Sequence, residues 1–199
     1  MKVTPVKGTN DYLPKEAALR DYLQSVILET YCHHGFQRIM TPILEDAENL
    51  DKSEGGENLN LIFKIMKRGD KLQKALVLGE EKGLADLGLR YDLTLPLSRY
   101  YACHRNDLLL PMKCIQIDKV YRAERPQKGR LREFVQCDID IIGTKSYTAE
   151  LELIEITAEA LLAIGLKNFK IRINDRQLLR AILTDCGFME QELDSVCIS

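Results

Sequence analysis

Two stretches of this chain, 113–122 and 132–142, alternate polar and apolar residues along most of their length, and a short loop with Gly129 and several arginines joins them. Side chains two apart on a strand share a face, so alternation of this kind predicts strands and assigns their faces. Two strands joined by a short loop pair as an antiparallel hairpin. In 132–142 one face carries Val135, Cys137, Ile139 and Ile141, and the other carries Arg132, Phe134, Gln136, Asp138 and Asp140. In 113–122 Ile115, Ile117 and Tyr121 oppose Gln116, Asp118 and Arg122, with Glu124 just beyond. The run 88–95 reads as a third strand, with Leu89, Tyr91 and Leu93 opposing Arg90, Asp92 and Thr94.

Around this hairpin the pattern predicts further elements. Pro14 opens a helix whose Leu19, Tyr22, Leu23, Val26, Ile27, Thr30 and Tyr31 recur at helical spacing up to Gly35. Phe36–Met40 reads as a strand, 46–60 as a mobile acidic loop, and Leu61–Met66 and Lys74–Leu78 as two short strands, with an exposed excursion within 74–88. Pro96 starts a helix, and another spans about 147–164. A strand at Phe169–Ile173 and two last helical stretches complete the chain. Strands outnumber crossover helices, which predicts an α+β fold: a mainly antiparallel sheet flanked by helices.

Composition narrows the function classes. The chain has 199 residues, 45% apolar and 29% charged, which suits a globular domain and excludes a rod or a disordered chain. A net charge of −2 confines any contact with nucleic-acid phosphates to a local patch. Six cysteines without a C-x-x-C pair read as reduced thiols of a cytoplasmic protein, and the three histidines show no metal-ligand spacing with them. No apolar run is long enough to span a membrane. Neither common nucleotide-binding glycine loop is present.

The polar face of the three strands is the strongest chemical signal. A sheet with one face in water gives the same alternation. Two features point further. The face is built from acids, amides and arginines, whereas solvated strands favour threonine and other β-formers. The loop also gathers Arg122, Arg125, Lys128, Arg130 and Arg132, and guanidinium groups bind phosphate oxygens in pairs. Phe134 offers a ring to stack on a base. Asp92, Asp140 and Asp138, with Thr94 and Gln136, suit a cationic small molecule such as an amino acid. Structural salt bridges with the arginines remain the plainer use of each aspartate taken singly.

The segment from Val120 to Asp140, with Arg122-Ala-Glu124, Arg130 and Phe134, resembles motif 2 of class II aminoacyl-tRNA synthetases, and is most similar to the histidyl-tRNA synthetase family. Lys7–Pro14 resembles that family's lead-in, the region of about 15–45 its motif 1, and Leu89–Pro96, within about 88–96, its histidine-binding strand. The resemblance implies ATP-dependent activation of histidine and its transfer to tRNA(His), with Mg2+ on the phosphates and a homodimer formed through motif 1. It assigns Arg122 to the α-phosphate and the histidine carboxylate, as the catalytic arginine. Glu124 goes to the adenine or ATP edge, Arg130 to the outer phosphates and Phe134 to the adenine ring. Asp92, Thr94 and Gln136 go to the α-amino group and Asp140 to the imidazole. No protein ligand for a metal is identifiable. Motif 3, a second histidine motif and an anticodon-binding domain have no counterpart in residues 1–199. The expectation is therefore the N-terminal portion of a catalytic domain, one that does not charge tRNA alone. A regulatory paralogue from ATP phosphoribosyltransferase would share the sheet without needing the ATP-loop residues, and a synthetase-like RNA sensor gets no support from the net negative charge.

Overall fold

The computed structural model describes residues 3–51, 58–78 and 83–198. They divide into two units, one through Gly165 and one from Leu166 onward.

In the first unit, helix α1 (Pro14–His33) starts with proline at its first position, and the Glu16 carboxylate accepts from the Leu13 N–H. It ends at Gly35, whose φ of +82° lets the chain reverse into the two-residue strand β1 (Gln37–Arg38). Strand β1 pairs parallel with β5 (Met112–Tyr121), which pairs antiparallel with β6 (Glu133–Ile142). The hairpin register sets Cys114 opposite Asp140, Gln116 opposite Asp138, Asp118 opposite Gln136 and Val120 opposite Phe134. These residues share one face. The other face supplies Ile115, Ile117, Ile139 and Ile141 to a core closed by Tyr31 and Phe36 and by Ile156 and Ala160 of helix α5 (Tyr147–Ala163). The expected hairpin and its two faces are therefore present, and the α+β architecture with them.

A second antiparallel sheet is made of β2 (Leu44–Asp46), β4 (Ala85–Leu89) and β3 (Lys64–Met66), with β4 in the middle. Helix α2 (Ala47–Asp51) lies within the stretch expected as a mobile loop, and a 3-10 turn at Asn58–Leu61 spans its end and the first residue expected as strand; residues 52–57 fall outside the described residues. Three expectations are corrected here. Residues 74–78 are not a strand but the end of helix α3 (Gly69–Leu78). The strand expected over 88–95 ends at Leu89, and helix α4 (Thr94–His104) already starts at Thr94 rather than at Pro96. Tyr91 and Leu93 are both buried, so their alternation comes from a turn pinned at two points and not from a strand.

The second unit holds α6 (Arg176–Asp185) and α7 (Glu190–Ile198). Asp175 caps α6, its Oδ1 accepting from Leu178 N at 2.7 Å. The strand expected at 169–173 is absent: those residues take no ladder partner among the described residues. No helix among the described residues is long and apolar enough to cross a membrane.

Candidate active site

The site is built on the polar face of the hairpin and on the 90–95 turn laid against it. Arg90 makes the turn possible. Its side chain is fully buried: Nε donates to Lys119 O at 2.8 Å, and Nη1 donates to Thr41 O at 2.8 Å and Thr41 Oγ1 at 3.2 Å. Asp118 Oδ2 lies 2.8 Å from Nη2, an ion pair not aligned as a hydrogen bond. Backbone bonds from Arg90 N to Ile43 O and from Tyr121 N to Arg90 O fix the same point. Gln116, 2% exposed, adds a second pin, accepting from Thr41 Oγ1 and donating to Leu93 O, both at 3.2 Å. Arg90, Gln116 and Asp118 therefore leave the ligand-facing set that alternation assigned to them. They are scaffold, because a buried guanidinium needs this many acceptors to offset its desolvation.

What the turn presents is Asp92. Its Oδ1 accepts from Leu95 N at 3.4 Å near the start of α4. Burial raises its carboxyl above the usual range; the Leu95 hydrogen bond opposes that, the neighbouring Asp138 adds to it and Arg122 opposes it. Asp138 and Asp140 are raised as well, chiefly by burial. Three crowded, half-buried acids with shared repulsion call for a cation, which would lower all three. Gln136 stands on the same face, and its Nε2 donates to Asp138 Oδ2 at 3.0 Å. Thr94 is exposed at the first position of α4, and its carbonyl accepts from Ser98 Oγ.

At the other end of the face Arg122 Nε donates to Tyr91 O at 3.1 Å, and its guanidinium carbon sits 5.1 Å from the centre of the Phe134 ring. One edge of the guanidinium is thus committed, and the edge carrying the Nη atoms is the part that can meet an anion. Beyond it the loop narrows to a tight turn, with Gln127 and Arg130 exchanging backbone hydrogen bonds around Gly129 at φ +79°. The loop bounds an open cavity of about 580 Å³ lined by Asn60, Leu61, Glu124, Arg125, Gln127 and Arg130. Arg130 Nη1 is 2.9 Å from Glu124 Oε2. Arg132 faces inward instead: its Nε donates to Glu124 O at 3.0 Å, and its N–H donates to Gly8 O at 2.7 Å. It closes the loop and is subtracted from the cluster of free basic groups. Gly8, at φ +90°, comes so near that a Cβ there would lie 2.8 Å from Arg132 Cγ.

The structure therefore brings together Asp92, Arg122, Phe134, Gln136, Asp138 and Asp140, and joins Glu124 to Arg130 in the adjoining cavity. Thr94 is near Asp92 in the chain, and among the described residues its side chain makes no hydrogen bond to the other residues of the site. Asn60 and Leu61 were missed by sequence reasoning; the Ala123 N–H on Leu61 O at 2.8 Å holds that segment against the loop. Cys114 lies buried on the same face, opposite Asp140, its thiol pushed up to about 12 by burial and so held protonated. No cluster of three or more metal-ligating side chains occurs among the described residues.

The histidyl-tRNA synthetase family model matches residues 8–197, a span that takes in the lead-in, the turn and the whole hairpin. The chain belongs to the histidyl-tRNA synthetase family. It is 48% identical over 200 residues to the histidine–tRNA ligase of Leifsonia xyli, a match covering 99% of this chain and 46% of that protein. Among solved structures, histidyl-tRNA synthetase from Nostoc sp. PCC 7120 superposes with a TM-score of 0.80 at 32% identity, covering 100% of this chain and 43% of that one. A Bacillus halodurans protein described as an ATP phosphoribosyltransferase regulatory subunit/histidyl-tRNA synthetase follows at a TM-score of 0.77 and 26% identity, covering 98% of this chain and 47% of that one. The chain thus spans less than half the length of each of these three proteins.

Proposed function

We propose that this chain forms one side of the adenylation site of a histidine–tRNA ligase, as the N-terminal portion of its catalytic domain. The carrying observation is the acidic face itself: Asp92, Asp138 and Asp140 around Gln136, with Arg122 at its end, in a chain of this family. Asp92, Thr94 and Gln136 receive the α-ammonium of histidine, and Asp140 receives an imidazole N–H. Arg122 is the catalytic residue, its Nη edge meeting the histidine carboxylate and the α-phosphate of ATP. Phe134 stacks on the adenine, Glu124 borders ATP and Arg130 reaches the outer phosphates.

In the first step a carboxylate oxygen of histidine attacks the α-phosphorus in line, the bond to the bridging oxygen breaks, and pyrophosphate leaves. No general base is needed, because the carboxylate is already ionised. The chain supplies positioning and charge stabilisation. A ribose hydroxyl at the 3′ end of tRNA(His) then attacks the adenylate carbonyl and AMP departs. Glu124, the one carboxylate lining the phosphate cavity, is already beside Arg130, so these residues do not build a Mg2+ site of their own. A magnesium ion arriving on ATP would supply charge neutralisation at the phosphates.

The same reading includes a cytoplasmic homodimer paired through the 15–45 region, where Leu19, Tyr22, Met40, Ile43 and Leu44 are exposed. It also includes completion of the site by the further length that the relatives carry, so the 199-residue chain alone is not expected to charge tRNA. A regulatory, non-catalytic role is the second reading, supported by the Bacillus halodurans likeness. The presence of Arg122, Glu124, Arg130 and Phe134 together favours catalysis. The test is Asp140→Ala in the full-length protein. Histidine affinity should fall by about 1.5–3 kcal/mol, the worth of a charge-assisted hydrogen bond, with ATP affinity unchanged. Equal loss of both ligands would remove the imidazole role.

A further inference from the structure

Arg132 stands where the two limbs of the loop between β5 and β6 meet. Its Nε donates to Glu124 O at 3.0 Å, and its carbonyl accepts from Arg122 N at 2.9 Å. The second bond joins backbone to backbone and survives any change of side chain; the first does not. From outside the hairpin, Gly8 O accepts from Arg132 N at 2.7 Å and from Glu133 N at 3.3 Å. Gly8, at φ +90°, also lies against the arginine stem: a Cβ there would be 2.8 Å from Cγ and 3.1 Å from Cβ and Cδ. The guanidinium carbon is 6.0 Å from the centre of the Phe63 ring, and Phe63 O is itself held by Leu89 N at 2.9 Å. The half-buried side chain is thus fixed at its stem, its Nε and its head. Glu124, Arg125, Gln127 and Arg130 line the loop cavity, and Arg132 is outside that lining. It reaches the cavity through the Glu124 carbonyl.

We propose that Arg132 is a positioning residue for ATP: its Nε–H, braced by Gly8, holds the Glu124 limb of the loop, which makes the N-terminal lead-in a working part of the nucleotide site. This rests on the reading of the loop cavity as the ATP site. The histidine face does not depend on the brace. Asp92 is held by Leu95 N, and Arg122 Nε by Tyr91 O.

The test uses the full-length protein and measures dissociation constants for ATP and for histidine. Arg132→Met removes both the donor and the charge. Arg132→Gln removes the charge but keeps an N–H in place, because glutamine Nε2 is bonded to Cδ as arginine Nε is. Arg132→Lys keeps the charge but puts a methylene at that position. Arg132→Met and Arg132→Lys should each weaken ATP about tenfold, the scale of one lost hydrogen bond, with histidine within about twofold. Arg132→Gln should bind ATP within about threefold of wild type. Gly8→Ala, far away in the chain, should weaken ATP about fivefold or more by displacing the arginine stem, and leave histidine within about twofold. Unchanged ATP affinity in Arg132→Met or in Gly8→Ala would overturn the proposal. So would rescue by lysine rather than glutamine, the mark of a charge acting on the phosphates, or equal loss of histidine and ATP in the Arg132 variants. A wild-type protein that binds histidine and no ATP would overturn the functional reading of the loop, and this inference with it.

Discussion

Replacing Arg90 with methionine should cost the protein about 3–5 kcal/mol of stability, the range for breaking a buried ion pair by removing one partner. Methionine is of similar length but leaves Lys119 O and Thr41 O without their donor, and it strands Asp118. Each hydrogen bond from a charged donor is worth about 1.5–3 kcal/mol, so three or four lost contacts could sum higher. Asp118 restrains that sum: its side chain is 33% exposed, and water can take over part of the guanidinium's work. Against a total stability of about 5–15 kcal/mol, the change consumes a large share. Urea unfolding would show it as a fall in the midpoint of about 2 M at an m-value of about 2 kcal/mol/M, with m unchanged. Arg90→Lys keeps the charge but not the fork of donors, and should recover less than half of the loss. Adding Asp118→Asn to Arg90→Met should return some stability by removing the stranded charge. A loss below about 1 kcal/mol for Arg90→Met would refute the claim that this arginine pins the turn to the hairpin.

Burial raises the folded-state pKa of Asp140, so the folded protein holds that proton more tightly than the unfolded chain. Stability from this group is therefore greatest below the unfolded value of about 4 and falls as pH rises through the folded one. Asp140→Asn should accordingly be more stable than wild type near pH 7 while binding histidine more weakly, and urea unfolding across pH should show the gap closing toward pH ~4. Gly88→Ala would place a Cβ 2.5 Å from Leu50 Cδ1 and 3.2 Å from Phe63 O in the middle of the second sheet. A cost of about 1–3 kcal/mol, read as a Tm lower by roughly 3–10 °C, is expected.

Much of the site was legible because strand alternation is a rigid geometric rule. It put Phe134, Gln136, Asp138 and Asp140 on one face, and the register has them there. It failed where polarity and exposure part company. Arg90 and Gln116 read as ligand-facing because they are polar, yet both are buried as hydrogen-bonding pins. A binary pattern cannot tell a buried, satisfied arginine from an open one. The 90–93 turn imitates a strand for the same reason, since two buried side chains at i and i+2 suit either. The apolar run Ala75–Leu78 had no period long enough to separate strand from helix, and it belongs to α3. The alternating residues 169–173 show that a strand also needs a partner, which local sequence does not name. Asn60 and Leu61 had no local signal at all: they line the cavity through a backbone bond to Ala123 from across the chain.

The most direct measurement is amino-acid-dependent ATP–pyrophosphate exchange by the full-length protein, with histidine, lysine and arginine run in parallel. An acidic cleft by itself would accept any of the three. The proposed roles, with Asp140 facing an imidazole, Gln136 and Asp92 holding the ammonium and Arg122 at the α-phosphate, predict exchange with histidine and background with the others. Arg122→Ala should lower the histidine-dependent rate by about 10²–10³, the loss of one preorganised donor. Exchange that favours lysine or arginine, or none with any amino acid while ATP still binds, would contradict the account.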